Sequence, residues 1–206
     1  MERDVILNAR KPMGEHGNTM IESMNSNHLE MTVWALDGLA IKREDSVLDI
    51  GCGGGRAVSL LAERAQHVTG IDYSPLCVES AKEMNRQYLA EGKVEILEAS
   101  VSSLPLENAC FDFVTAIETI YFWPDIVHDF SEVHRVLLPG GAFCIVCEMF
   151  RQEGRPANFL EYVDILQMYL PSEDELRDYL TQAGFERITV KIEQEKQWLL
   201  IMGYKA

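Results

Sequence analysis

Basic residues are few in this chain: Lys and Arg number 18 against 33 Asp and Glu, a formal charge of −15 over 206 residues. A surface this acidic repels phosphate backbones and anionic headgroups, so neither nucleic acid nor a membrane surface is an expected partner. No uninterrupted apolar run approaches the ~18 residues that a bilayer span needs. Met1-Glu-Arg-Asp4 is not followed by the apolar core of a signal peptide. Cysteine is scarce too. Cys52, Cys77, Cys110, Cys144 and Cys147 form an odd set without framework spacing, which reads as free thiols in a reducing cytoplasm. Cys144 and Cys147 have CxxC spacing but lie in the apolar run Ala142-Phe-Cys-Ile-Val-Cys147. In a strand, residues three apart face opposite ways, so they are expected as core thiols and not as a metal pair. Repeats, low-complexity tracts and linkers are absent as well, which points to one domain over residues 1–206.

What is present alternates. Short apolar runs at Val47–Ile50, His67–Ile71, Val94–Leu97, Phe111–Ala116 and around Cys144 are separated by helical stretches. One of these helices is expected from Pro75 to about Ala90, another from Asp125 to Val136. Ser172-Glu-Asp-Glu175 reads as a capping box opening a helix that stops at Gly184. Two strands close the chain, Phe185–Ile192 and Lys196–Tyr204, joined tightly enough for an antiparallel hairpin at the sheet edge. The pattern predicts a doubly wound α/β domain around a mostly parallel sheet. It divides into a segment before the first strand (1–45), a core (46–149), a long connection with the character of a substrate lid (150–171), and a closing helix and hairpin (172–206). In the first segment Met20, Met24, Met31 and Trp34 recur near helical period and predict one apolar helix face. The long connection carries Phe159, Tyr162, Met168 and Tyr169.

Function concentrates at Gly51-Cys-Gly-Gly-Gly55, directly after the first strand. A glycine turn between strand and helix lets backbone N–H groups approach a ligand, and open α/β sheets bind ligands beyond the carboxyl ends of their strands. Asp72, at the end of the second strand, can accept ribose hydroxyls. Those features fit any nucleoside cofactor. Against NAD, the third glycine of G-x-G-x-x-G falls on Arg56, and Asp49 sits inside the first strand where a dinucleotide fold is normally apolar.

Four segments occur in a telling order: Val47-Leu-Asp-Ile-Gly-Cys-Gly-Gly-Gly55, Gly70-Ile-Asp-Tyr-Ser-Pro75, Leu104-Pro-Leu106 with Phe111-Asp-Phe-Val114, and His134-Arg-Val-Leu-Leu-Pro-Gly-Gly141. Together they resemble the motifs of class I S-adenosylmethionine-dependent methyltransferases, in the type-11 subgroup that includes quinone- and sterol-methylating enzymes. The resemblance implies a Rossmann-like seven-stranded sheet and S-adenosyl-L-methionine as cofactor, with S-adenosyl-L-homocysteine as product. It implies that Gly51, Cys52 and Gly53 contact the methionine part, that Asp49 shapes the loop, that Asp72 takes the ribose and that Tyr73 packs on adenine. Ser100 and Val101 fall where the family has an aspartate and a small residue, so the adenine contact departs from the pattern. Ile117 and Glu118 would line the reactive-methyl region.

Transfer to a small-molecule acceptor is an in-line displacement that needs positioning and exclusion of water. Acidic and aromatic groups suit a cationic sulfur, which draws attention to Glu118, Tyr121, Phe122 and Trp123. As catalytic groups we expect Glu118, Tyr121 and His28, the last on a segment that should fold over the cofactor. His67, His128 and His134 are expected as solvated surface groups, and His16 carries less signal than His28. Two rival readings are a cofactor-binding protein that has lost catalysis and a NAD-dependent oxidoreductase. No metal is expected, and the sequence does not identify the acceptor.

Overall fold

A computed structural model describes residues 3–152, 154 and 160–206. Three helices precede the sheet: α1 (Arg3–Ile6), α2 (Gly14–Asn27) and α3 (Leu29–Asp37). Strands and helices then alternate as β1 (Ser46–Ile50), α4 (Arg56–Ala62), β2 (His67–Asp72), α5 (Pro75–Met84), α6 (Arg86–Ala90), β3 (Val94–Glu98), β4 (Phe111–Ile117), α7 (Ile126–Val136) and β5 (Leu137–Cys147). The chain ends with α8 (Leu160–Leu166), α9 (Glu173–Gln182), β6 (Glu186–Glu193) and β7 (Trp198–Tyr204).

All seven strands share one sheet in the order β3-β2-β1-β4-β5-β7-β6. Strands β1 to β5 are parallel, while β7 runs antiparallel to both β5 and β6. The doubly wound fold with an antiparallel edge pair is therefore as expected. Inside that pair the more apolar strand, β7, docks on β5, leaving alternating β6 as the edge. From β1 the chain steps outward to β2 and β3 and then crosses back to β4 on the other side of β1, so a crevice opens at the carboxyl ends of these neighbours.

Both sheet faces are covered, which is why the central strands read as continuous apolar runs. One face packs Leu48, Val114, Phe130 and Phe143 with Cys147; the other carries Val47, Val58, Leu61 and Val68, and further along Met31, Ala35 and Cys144. Cys144 and Cys147 thus lie on opposite faces, each fully buried. On the first face the Phe130 and Phe143 rings meet edge-on at 5.1 Å, a favoured aromatic geometry.

Local chemistry departs from expectation at four places. The helix begun at Pro75 breaks at Asn85, whose buried side chain donates to the Ala81 and Gly55 carbonyls and competes with the helical ladder. The apolar stripe before β1 is split at His28, which ends α2 and starts α3. Pro139-Gly-Gly141 is not a turn before β5 but an irregularity within it: Phe111 pairs with Leu137, and Phe113 pairs with Ala142. Nor is His134 simply solvated, since its ring packs edge-on against Phe185 at 5.1 Å. In the connection 150–171, Leu166 and Met168 bury in the main core while Tyr162 and Tyr169 are exposed; Phe159 lies outside the described residues.

Candidate cofactor cleft

The cleft at the carboxyl ends of β1, β2 and β4 has two joined compartments with about 780 and 580 Å³ of open volume, part of it continuous with solvent. Arg10, Gly51, Asp72, Tyr73, Thr119 and Phe122 border both and form the waist between them.

The glycine loop is fastened to β2. Gly51 and Cys52 both donate their N–H to the Ile71 carbonyl, at 2.8 and 2.9 Å, and Gly53 donates to Oδ2 of Asp72 at 2.9 Å. These three N–H groups are already used, so the loop presents its carbonyls and Cα atoms to a ligand as much as its N–H groups. Gly53 has φ +51, and a Cβ there would meet nothing within 4 Å. That opening is a cradle a side chain would fill.

Asp72 is 7% exposed and also accepts from Ser74 N at 2.8 Å. Burial pushes its carboxyl above the usual range, opposed by the Ser74, Gly53 and Tyr73 backbone and by Lys11. The Tyr73 ring stands at the waist, its hydroxyl held by the Arg10 carbonyl and its face covered by Lys11 Nζ at 5.0 Å. Asp49 is buried in the loop floor. Burial raises it to about 7, while the Thr115 hydroxyl at 2.6 Å pulls it down and Asp72 adds repulsion.

One compartment holds Ser100 and Val101 with Ala99, Trp123 and Pro124. Ser100 caps the following turn, accepting from Ser102 N at 3.3 Å. In the other compartment stand Cys52, Ile117, Glu118, Met24, Asn25 and His28. Burial raises the Cys52 thiol well above its ordinary value, so it is a packing group and not a nucleophile. Glu118 has φ +57, an uncommon conformation for a residue with a side chain. Its Oε1 accepts from the Tyr121 hydroxyl at 2.6 Å and from Glu148 N at 2.5 Å.

Of the three expected catalytic groups, Glu118 and His28 border the cleft. Tyr121 does not: it is 2% exposed, its ring belongs to the main core, and its hydroxyl joins Glu118 to Met149 N at 3.2 Å. Phe122, its neighbour, is the aromatic at the waist. Sequence reasoning had not assigned Arg10, Thr119, Glu148 or Arg56 to the site. Arg56 opens α4 against the cleft with its Nε buried and without a hydrogen-bond partner. Its position straight after the loop was a readable signal.

Comparison with known proteins agrees with this geometry. Residues 48–145 match a family model described as a methyltransferase domain. An O-methyltransferase of Aspergillus nomiae, rstn1, is 33% identical over 156 residues, covering 73% of this chain and 68% of that protein. The chain belongs to the class I S-adenosylmethionine-dependent methyltransferases, of the type-11 kind. The methyltransferase takes S-adenosylmethionine as cofactor. An O-methyltransferase of Pyrenophora dematioidea is 32% identical over 161 residues, 75% of this chain but only 59% of that protein. The methyltransferase therefore spans roughly two thirds or less of these fungal relatives. The fold is shared with phosphoethanolamine N-methyltransferase 2 of Haemonchus contortus in complex with S-adenosyl-L-methionine, with a TM-score of 0.81 at 21% identity over 98% of this chain and 59% of that one.

Proposed function

We propose that this methyltransferase moves a methyl group to a hydroxyl of a small-molecule acceptor by in-line displacement. The observation that carries the reading is the two-compartment cleft joined at Asp72, Tyr73 and Gly51. A nucleoside attached to an amino acid has the same plan: a base on one side, a zwitterionic chain on the other and a ribose between. The chemistry of the lining fits that division. Ser100, Val101 and Trp123 offer a flat apolar slot with a weak acceptor for adenine, and Tyr73 adds a ring at its edge. Asp72 receives the ribose hydroxyls at the waist. On the far side Arg56 meets the carboxylate, and Asp49 meets the amino group with help from the loop carbonyls of Gly51, Cys52 and Gly53.

The cofactor supplies a methyl group on a positively charged sulfur that is already a good leaving group. The protein holds Glu118 near that charge, and Phe122 adds the face of a ring. Tyr121 acts from behind by fixing the Glu118 carboxylate. Ile117 and Met24 exclude water. An oxygen acceptor is favoured by the names of the two fungal relatives, and a small molecule by the strong negative charge of the surface. Among the described residues no helix is long and apolar enough to cross a membrane. The five free thiols suit the cytoplasm. The segment 1–45 caps the core 46–149 in this scheme.

The test is ligand-dependent stabilisation followed by transfer. S-adenosylhomocysteine should raise the melting temperature where NADH does not. Labelled methyl from the cofactor should then appear on a hydroxyl compound in a small-molecule extract. Absence of stabilisation would remove the cofactor assignment, and binding without transfer would leave a catalytically silent protein.

A further inference from the structure

In the compartment lined by Ile117 and Glu118, a His28 ring nitrogen, a Glu118 oxygen and a Glu148 oxygen all lie within 4.8 Å of one another. These groups come from three separate parts of the chain. His28 joins α2 to α3, Glu118 follows β4, and Glu148 follows β5. The cluster is tied together, because Tyr121 holds Glu118 and Glu118 accepts from the Glu148 backbone. His28 Nε2 stands 4.0 Å from Glu148 Oε1, which is ion-pair range and too long for a direct hydrogen bond. Of the two, His28 borders the cleft, so the imidazole is the group an acceptor can touch.

We infer that His28, backed by the Glu148 carboxylate, takes the proton from the acceptor hydroxyl as its oxygen attacks the methyl carbon. This rests on the methyl-transfer reading above. The O–H bond breaks and its proton goes to the imidazole. The oxygen lone pair forms the O–C bond, and the C–S bond breaks with its electron pair remaining on sulfur. An alcohol or phenol attacking without this help would finish as a protonated ether, so a base at the oxygen lowers the barrier where an already ionised acceptor gains nothing. Burial lowers the His28 pKa, which keeps the ring neutral and ready to accept, while Glu148 opposes that shift and stabilises the imidazolium that forms. The other charged groups facing this compartment are Glu118, Asp49, Asp72, Arg10 and Arg56. Glu148 touches neither cofactor nor acceptor and is a positioning residue. Because His28 sits on the N-terminal segment, the base is present only when that segment is docked.

The test uses the full chain. Calorimetry with S-adenosylhomocysteine shows whether each variant still binds, and a wild type that fails to bind strikes the methyl-transfer reading itself. For proteins that bind, the His28 imidazole is titrated by NMR in that complex. Glu148→Gln should move its titration to lower pH, and Glu148→Asp should restore it; an unmoved titration overturns the pairing. Wild type is then assayed on a panel of phenols, catechols and short-chain alcohols, with thiophenol as an acceptor that ionises by itself. His28→Gln should lose on the order of 10²-fold in kcat on the hydroxyl compounds, with thiophenol much less affected and S-adenosylhomocysteine bound nearly as well. Equal losses on both acceptor types, or no turnover of any hydroxyl compound by wild type, overturn the inference. Activity abolished by EDTA and restored by Mg²⁺ overturns it in favour of a cation held by the same three side chains.

Discussion

The Thr115 hydroxyl lies 2.6 Å from Oδ1 of Asp49, a contact set by the direct pairing of these residues across β1 and β4. It is the hydrogen bond that favours the charged form of a carboxyl which burial raises from an ordinary 3.8 to about 7. Between those two values the native protein holds a proton that the unfolded chain has lost, so this group makes stability fall as pH rises from about 4 to about 7. Below that window both states are protonated and nothing is lost; above it the full cost is present. Asp49→Asn should flatten the decline of melting temperature measured between about pH 4 and 7. Thr115→Val should steepen it and lower stability by about 1–3 kcal/mol, because a buried acceptor loses its partner. Parallel curves for wild type and Asp49→Asn would show that Asp49 does not titrate in this range.

Asp72 serves two masters in the cleft. It holds the Gly53 and Ser74 N–H groups and faces the waist where the ribose is proposed to sit. Hydrogen bonds to a charged group contribute about 1.5–3 kcal/mol each, so Asp72→Ala should weaken S-adenosylhomocysteine binding at least tenfold by calorimetry. It should also lower the melting temperature of the free protein, since two backbone donors lose their acceptor. Unchanged affinity with lowered stability would mean that Asp72 only shapes the loop.

The parts of the candidate site carried on strand ends are legible in the sequence. Asp49, Gly51, Gly53 and Asp72 belong to β1, β2 and the turn between them, where local order and tertiary position coincide. Sidedness was harder. Tyr121 and Phe122 are neighbours in a single helical turn, Ile120–Phe122, and only the fold sends one ring to the core and the other to the waist. Glu148 gave no local signal because its importance comes from residues 28 and 118, which sequence separation hides. The order of the closing strands could have been read. Trp198-Leu-Leu-Ile201 is apolar throughout and demands cover on both faces, whereas Glu186–Glu193 alternates as an edge strand does.

Gly53 and Gly54 are adjacent but should fail differently. At Gly53 a Cβ enters open cleft, and φ +51 adds backbone strain. Gly53→Val should abolish cofactor binding while the protein stays folded. At Gly54 a Cβ collides with Ile21 and Asn25 of α2. Gly54→Ala should push α2 off the loop, lowering the melting temperature and weakening binding through lost closure. Thermal scans with and without S-adenosylhomocysteine separate the cases. Wild-type affinity in Gly53→Val would show that this face of the loop does not meet the cofactor.

Helix α2 is the element most suited to move. Over fourteen residues it buries only Gly17, Met20 and Ile21, while Met24 and Asn25 face the cleft. It meets the rest of the domain at Gly17, beside Leu76, and at Ile21 and Asn25, over Gly54. By contrast α3, on the other side of His28, buries Met31, Thr32, Ala35 and Leu36 in nine residues. Elements with few buried apolar contacts open at low free energy, so α2 should exchange its amide hydrogens readily in the free protein and α3 slowly. A bound cofactor gives Met24, Asn25 and His28 something to enclose, and closure then excludes water from the transfer. Hydrogen exchange with and without S-adenosylhomocysteine should show protection rising from about residue 14 to residue 29 and staying constant across α3. Protection already high in the free protein and unchanged by the ligand would make α2 part of the fixed core, and the wall of the site would then be permanent.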